Sequence, residues 1–303
     1  MTAPAPAPYP VAIIQPDWVL SQEDMGSKTK FWFRWGETDI EWLFKYPQRN
    51  TGQHWAEKIT AEIASSLDIL HAPVELASYE GALGSATASF AREGRELVHG
   101  NQILLGKMLG YDTARRFHQS DHTLDNIFAA LERVFPSPNS LRIARDRLAE
   151  YLLLDAVIGN TDRHHENWGI LLKRTSGSLN VMVAPSFDHA SSLGRELCDA
   201  GTAKSKSAIL REGRVGSYAE KATGAIYWES TDRRGLSPLN LIRRASEKYP
   251  EPFDRARQLL DKLTVEGLRG IVDRVPETWM SEISRSFVIE LVCYNLEQLR
   301  LIP

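Results

Sequence analysis

The sequence predicts an α+β chain in two lobes, a small β-rich lobe with one helix followed by a larger, mainly α-helical lobe. Three observations carry that expectation. β-branched and aromatic residues concentrate before residue 100, helical apolar periodicity takes over after about residue 120, and one hairpin signal interrupts the helical part. With 303 residues, 43% of them hydrophobic and 25% charged, the chain can bury such lobes without disulfide or metal staples.

The first ten residues, MTAPAPAPYP, lack a basic or apolar leader region and are expected as a flexible or polyproline-like tail. Between Val11 and Pro47, VAIIQP, KTKFWFRW and DIEWLFKYP read as three antiparallel strands separated by the turns GSKT and GET. Trp55, Ile59, Ile63 and Leu67 recur at helical spacing and mark one buried face of a helix, with Thr51 as its N-cap. The segments PVELASYE and ATASFAR complete the small sheet, so residues 11–120 form the expected N-lobe. In the C-lobe, residues 121–303, helices are expected at TLDNIFAALERVF, at SLRIARDRLAEYLLLDAVI and in several segments from Leu236 onward. WGILLKR and LNVMVAP flank TSGS and predict a hairpin with four residues between its strands.

A formal net charge of −3 gives no general electrostatic drive toward nucleic acid or an anionic membrane. No apolar run reaches the roughly 20 residues of a membrane span. Cys198 and Cys293 match no CxxC pattern, so a reducing, cytoplasmic setting is expected.

The unusual polar sequence flanks the hairpin, GNTDRHHEN before it and PSFDHASS after it. Antiparallel pairing should bring Asn167, before the first strand, beside Asp188, after the second, and Asp162 can approach the same place. Converging Asp, Asn and Asp oxygens suit Mg²⁺, a hard cation that fills its remaining positions with waters and phosphates. The spacing Asp-x-x-x-x-Asn also matches half of the protein-kinase catalytic loop, in which the Asp receives the substrate hydroxyl proton and the Asn holds a metal. A kinase-like site further needs a cation for the ATP phosphates and a carboxylate to hold it. Lys45 closes an apolar strand, and Glu57 and Glu62 both lie on the following helix as its candidate partners. The turn at Gly26 and Ser27 could offer backbone N–H groups to phosphates.

These segments, with LFKYP, AEKITAEIASSLDI, SFARE and ELVHGNQIL, resemble the HipA-type serine/threonine kinases, the toxin components of bacterial toxin–antitoxin systems. The resemblance implies a two-lobed protein-kinase-like fold. It implies Asp162 as catalytic base, Asn167 and Asp188 as Mg²⁺ ligands, Lys45 on the ATP phosphates and Glu57 as its partner. It likens Ala88, Phe90 and Ala91 to the adenine-binding hinge, although the acidic residues frequent there are missing, and it finds Phe187-Asp188-His189 in place of a DFG triplet. It implies a protein substrate with a Ser or Thr acceptor and a small antitoxin or accessory partner. It also likens the chain to short members without an extra N-terminal subdomain, and it makes Ser27, with Ser21 or Thr29 behind it, an autophosphorylation candidate.

Other readings of the same residues are a small-molecule phosphotransferase of this fold, a nucleotide-binding pseudokinase, and a phosphoesterase or nuclease using Asp162, His164, His165, Asp188 and His189. Adjacent histidines on a loop tend to point apart, which weakens a zinc site.

Overall fold

A computed structural model of the chain describes residues 6–23 and 30–303. In chain order its strands and helices are β1 (Val11–Ile14), β2 (Val19–Glu23), β3 (Lys30–Arg34), β4 (Glu41–Lys45), α1 (Gln53–Ser66), β5 (Val74–Tyr79), β6 (Ala82–Ala88), β7 (Arg95–His99), α2 (Gly100–Lys107), α3 (Leu124–Val134), α4 (Pro138–Ile158), β8 (Gly169–Thr175), β9 (Ser178–Val183), α5 (Lys206–Arg211), α6 (Val215–Glu220), α7 (Pro238–Lys248), α8 (Pro250–Arg257), α9 (Val265–Asp273) and α10 (Glu282–Arg300). The α+β class is as expected. The chain divides into two compact units: one takes the residues up to Ser89, His189–Val215 and Lys262–Cys293, the other Phe90–Asp188, Gly216–Asp261 and Tyr294–Pro303.

The first unit is built on a six-stranded sheet in the order β1-β5-β6-β4-β3-β2. Alternate residues of its strands place Ala12, Ile14, Phe31, Phe33, Phe44, Ala77 and Ala86 in one buried cluster. Phe31 packs against Phe44 at 5.0 Å and against Tyr79 at 4.8 Å between ring centres. Burying each such ring is worth ~1.5–3 kcal/mol. Helix α1 lies on β5 and β6, with α9 also packed on it, so that even its polar residues Glu57, Lys58 and Thr60 are buried.

Three expectations for this unit need correction. VAII does not open an antiparallel meander: it pairs parallel with β5, Val11 beside Leu76 and Ile14 beside Tyr79. The cause is Pro16, which starts a short 3₁₀ turn through Trp18 and redirects the chain; the antiparallel partner of β3 is the strand that follows, β2. Thr51 does not cap α1, because its hydroxyl donates to Gln48 O at 2.8 Å; the N-cap is Gly52, where a Cβ would lie 1.9 Å from the Trp55 ring. The expected tail is tethered at Tyr9, which is buried, donates its N–H to Arg274 O at 2.7 Å and lies under the Arg274 guanidinium.

The second unit pairs β7, β8 and β9 in an antiparallel sheet beside a helical layer in which α4 packs on α3, α7 and α8. The strand β7 was not anticipated, since RELVH alternates only weakly; it finds its partner in β8, Leu97 beside Leu171. The hairpin loop holds two residues rather than four, with Thr175 paired to Ser178 and Gly177 at φ +96°. The end of α4, Tyr151–Ile158, is buried all round, and Tyr151 OH donates to Ala184 O at 2.9 Å. The segments from Leu236 onward are helical, α7–α10.

Candidate active site

Helix α4 ends at Gly159, which takes the left-handed conformation (φ 66°, ψ 37°) that glycine adopts at low cost. The chain then turns back under the helix end. Buried Asp155, in the last turn, receives one edge of the Arg163 guanidinium in a bidentate pair, Nε to Oδ2 and Nη2 to Oδ1, each at 2.7 Å. Asn160 Nδ2 donates to the same Oδ1 at 2.7 Å. Arg163 also donates Nη1 to Asn167 O at 2.6 Å and Nη2 to Ser186 Oγ at 3.0 Å, with Phe187 O at 3.5 Å from Nη1. Burial works against its charge, but Asp155 outweighs burial and holds the guanidinium above its ordinary pKa. One buried cation thus ties the loop before the hairpin to the segment after it.

Asp162 is held by its backbone on both sides. Its N–H donates to Asn160 Oδ1 at 3.1 Å, and its carbonyl accepts Asn167 Nδ2 at 2.7 Å. The side chain, 31% exposed, has Oδ1 at 3.9 Å from His164 Nε2. The loop therefore brings Asp162 and Asn167 together by a bond from amide to carbonyl, and the Arg163 bonds draw Asn167 and Phe187 toward one guanidinium. Asp188 follows with φ +57°, a left-handed conformation uncommon outside glycine. The next N–H, of His189, donates to Glu57 Oε1 at 2.9 Å.

Of the residues expected on the nucleotide side, Lys45 ends β4, between Lys30 of β3 and Ser85 of β6. Glu57 is fully buried on α1. Glu62, its competitor, is bound to Lys58 at 2.7 Å, and Lys58 also holds Glu75 and Val74 O, each at 2.9 Å. Ala88 is buried at the end of β6, opposite Trp42. Phe90 packs on Phe187 with tilted rings whose centres are 5.2 Å apart, and Ala91 is exposed. Gly26, Ser27 and Thr29 lie outside the described residues, as does the side chain of Ser21.

The two loop histidines point apart, with ring planes 86° to one another. His165 Nδ1 meets Tyr111 OH at 2.8 Å, whereas His164 Nε2 accepts Arg116 Nε at 2.9 Å. Burial first, then the Arg116 charge, push His164 down to about 3, so it is neutral. Behind them His122 accepts Trp168 Nε1 on Nε2 at 3.0 Å and offers Nδ1–H to Ala225 O at 3.0 Å; burial lowers it to about 4. Asp155, Asn160, Arg163 and Arg116 were not singled out in the sequence. The available signal was the acid at Asp155, which interrupts an apolar helix, with an arginine eight residues later.

A family model described as the HipA-like C-terminal domain matches residues 24–247. A curated relative, the serine/threonine-protein kinase CtkA of Helicobacter pylori, is 23% identical over 239 residues, covering 77% of this chain and 67% of that protein. The crystal structure of the H. pylori proinflammatory kinase CtkA superimposes with a TM-score of 0.73 at 18% identity, over 95% of both chains. HipA in the Shewanella oneidensis complex with HipB and operator DNA superimposes with a TM-score of 0.59 at 14% identity, over 95% of this chain and 66% of that one. The fold is thus the one the CtkA kinase adopts, and the chain, matched across the Asp162 loop and the hairpin, belongs to the HipA-like C-terminal domain family.

Proposed function

We propose that the chain is an ATP- and Mg²⁺-dependent serine/threonine protein kinase of the HipA type. The observation that carries this function is the bond from Asn167 Nδ2 to Asp162 O, which closes the Asp-x-x-x-x-Asn spacing into one compact loop. In protein kinases that spacing serves an Asp that meets the acceptor hydroxyl and an Asn that meets a metal. The serine/threonine kinase name of the H. pylori relative supports the same chemistry.

Magnesium fits the donors present. With Nδ2 committed to Asp162 O, the Asn167 amide turns its oxygen away from that carbonyl, and oxygen is the atom a hard cation takes. Asp188 adds a carboxylate. Among the described residues no three His, Cys, Asp or Glu side chains cluster into an all-protein cage, and Mg²⁺ requires none, because waters and phosphates supply most of its ligands. When bound, the ion neutralises charge on the transferred phosphoryl group.

Asp162 orients the acceptor hydroxyl and takes its proton, while Asn167 and Asp188 hold the metal. Lys45 meets the ATP phosphates, and Glu57 is its carboxylate partner as well as the anchor of the chain after Asp188. The stretch Ala88–Ala91 takes the adenine side, with Phe90 braced on Phe187. A protein Ser or Thr is the acceptor, and a small antitoxin is the second partner, in line with the HipB complex of the S. oneidensis protein. Contact with DNA would run through that partner, since the chain's own charge of −3 does not favour it. A reducing cytoplasm suits the free Cys198 and Cys293, and no helix among the described residues is long and apolar enough to cross a membrane.

Incubation of the purified protein with γ-labelled ATP and Mg²⁺, alone and with host lysate, tests the assignment. Label on protein serines or threonines is expected. Label confined to small molecules, or tight ATP binding without any transfer, would overturn it.

A further inference from the structure

The segment between α2 and α3 is pinned to the Asp162 loop through Tyr111, and it is held to itself and to α2 by two further hydrogen bonds. Tyr111 OH meets His165 Nδ1 at 2.8 Å, Gln119 Nε2 donates to Asp112 O at 2.9 Å, and Asn101 Nδ2 donates to Thr113 O at 3.2 Å. Between these anchors Ala114–His118 stand exposed without a break. Phe117 is 64% exposed, an unusual display for a large aromatic on a well-anchored loop.

Arg116 joins this surface to the candidate catalytic residue. Its Nε donates to His164 Nε2 at 2.9 Å, and that nitrogen lies 3.9 Å from Asp162 Oδ1. On the other side the guanidinium lies 5.6 Å from the centre of the Phe117 ring. Its two Nη groups make no hydrogen bond to the described residues, and the half-exposed Glu166 carboxylate forms an ion pair with Nε at 3.7 Å, which leaves the outer fork available. A planar fork of free N–H groups beside an exposed ring suits a carboxylate next to an apolar side chain.

We infer that Arg116 and Phe117 form the acceptor-side docking surface, selecting a substrate segment with an acidic residue and an apolar residue two or three positions from the acceptor Ser or Thr. An extended chain covers ~3.3–3.6 Å per residue, so two or three residues span the two contacts that separate Asp162 from the guanidinium. The inference rests on the phosphotransferase assignment and deepens it by naming a substrate class.

Binding separates the two claims, because it requires no transfer. Fluorescein-labelled peptides carrying one serine, with a leucine and glutamates two and three residues away, are titrated by anisotropy against the Asp162→Asn protein, beside versions with lysine for glutamate and alanine for leucine. The acidic peptide is expected to bind at least about tenfold tighter than the lysine peptide. Arg116→Glu should invert that preference, and Phe117→Ala should remove only the leucine preference. Because Phe117 is exposed, the second variant stays informative even if the charge reversal disturbs folding. Equal binding of all peptides, or an acidic preference that survives Arg116→Glu in a protein with an unchanged melting temperature, would overturn the docking surface. Selective binding without label transfer by the unsubstituted protein would leave the surface standing and remove the kinase assignment instead.

Discussion

The Glu57 carboxylate receives the backbone N–H of His189 at 2.9 Å, across 132 residues of sequence. A fully buried acid on α1 is thereby the anchor of the residue directly after Asp188.

Replacing Glu57 separates its two roles. Glu57→Ala leaves the His189 N–H without its acceptor, at a cost of about 1–3 kcal/mol, and should lower both the melting temperature and phosphoryl transfer. Glu57→Gln keeps an oxygen in place but removes the charge, so it should melt near the wild type while still transferring slowly. Equal stability loss in both variants, read by calorimetry, would mean that the hydrogen bond is not what the carboxylate supplies.

Asp162→Asn should reduce transfer by about 10²–10⁴-fold, the usual contribution of a general base, without unfolding the loop. The loop is held by the Asp162 backbone, which the substitution leaves intact. Single-turnover assays and ATP titration check this: normal transfer, or lost ATP binding, would contradict the assigned role.

Arg163→Ala strips a buried carboxylate of its bidentate partner and should cost about 3–5 kcal/mol in urea unfolding. Arg163→Lys should recover only part of this, since an ammonium cannot reach Asp155, Ser186 and Asn167 in the same fork. A lysine variant as stable as the wild type would show that the geometry of the guanidinium is dispensable.

Stability should fall in mild acid. Burial lowers His122 from 6.5 to about 4, so the unfolded chain binds the extra proton between those values. The stabilisation is complete above about pH 6.5 and is lost as pH falls toward 4, with His122 contributing about 2 kcal/mol of the loss by pH 5. Urea melts at pH 7.5 and 5 are expected to show a smaller drop in His122→Gln than in the wild type. Parallel slopes would remove His122 as a cause.

Ser27 is expected to carry a phosphate after incubation with Mg²⁺-ATP, with Ser21 or Thr29 as the alternatives. A phosphate adds about −1.5 to −2 charge, which would repel the nucleotide phosphates. Intact-mass spectrometry beside Asp162→Ala decides: an unmodified wild type ends the proposal.

The signals that could be followed along the chain were those that act locally. The period of α1 through Trp55, Ile59, Ile63 and Leu67, the apolar run of α4 and the two apolar runs of β8 and β9 each lie within one segment, and each formed the expected element. The pairing of Val11 with Leu76 could not be read this way, because both strands look alike in isolation and only the turn at Pro16 denies β1 a neighbouring partner. The same holds for Arg163, whose role depends on a glycine reversing the chain beneath Asp155. The spacing of Asp162 and Asn167 marked the loop, but it did not reveal that a backbone carbonyl, rather than a carboxylate, holds the asparagine.

The first compact unit gathers the chain up to Ser89, then His189–Val215, then Lys262–Cys293. A ribosome delivers these pieces in order, so the nascent sheet must wait for most of the chain before α9 can cover α1. Tyr9 can meet Arg274 only after α9 has been made. Neither unit corresponds to one uninterrupted stretch of message, so a premature stop anywhere before α10 would leave both incomplete. A chain interrupted before α10 would therefore leave apolar surface in both units without the segments that cover it.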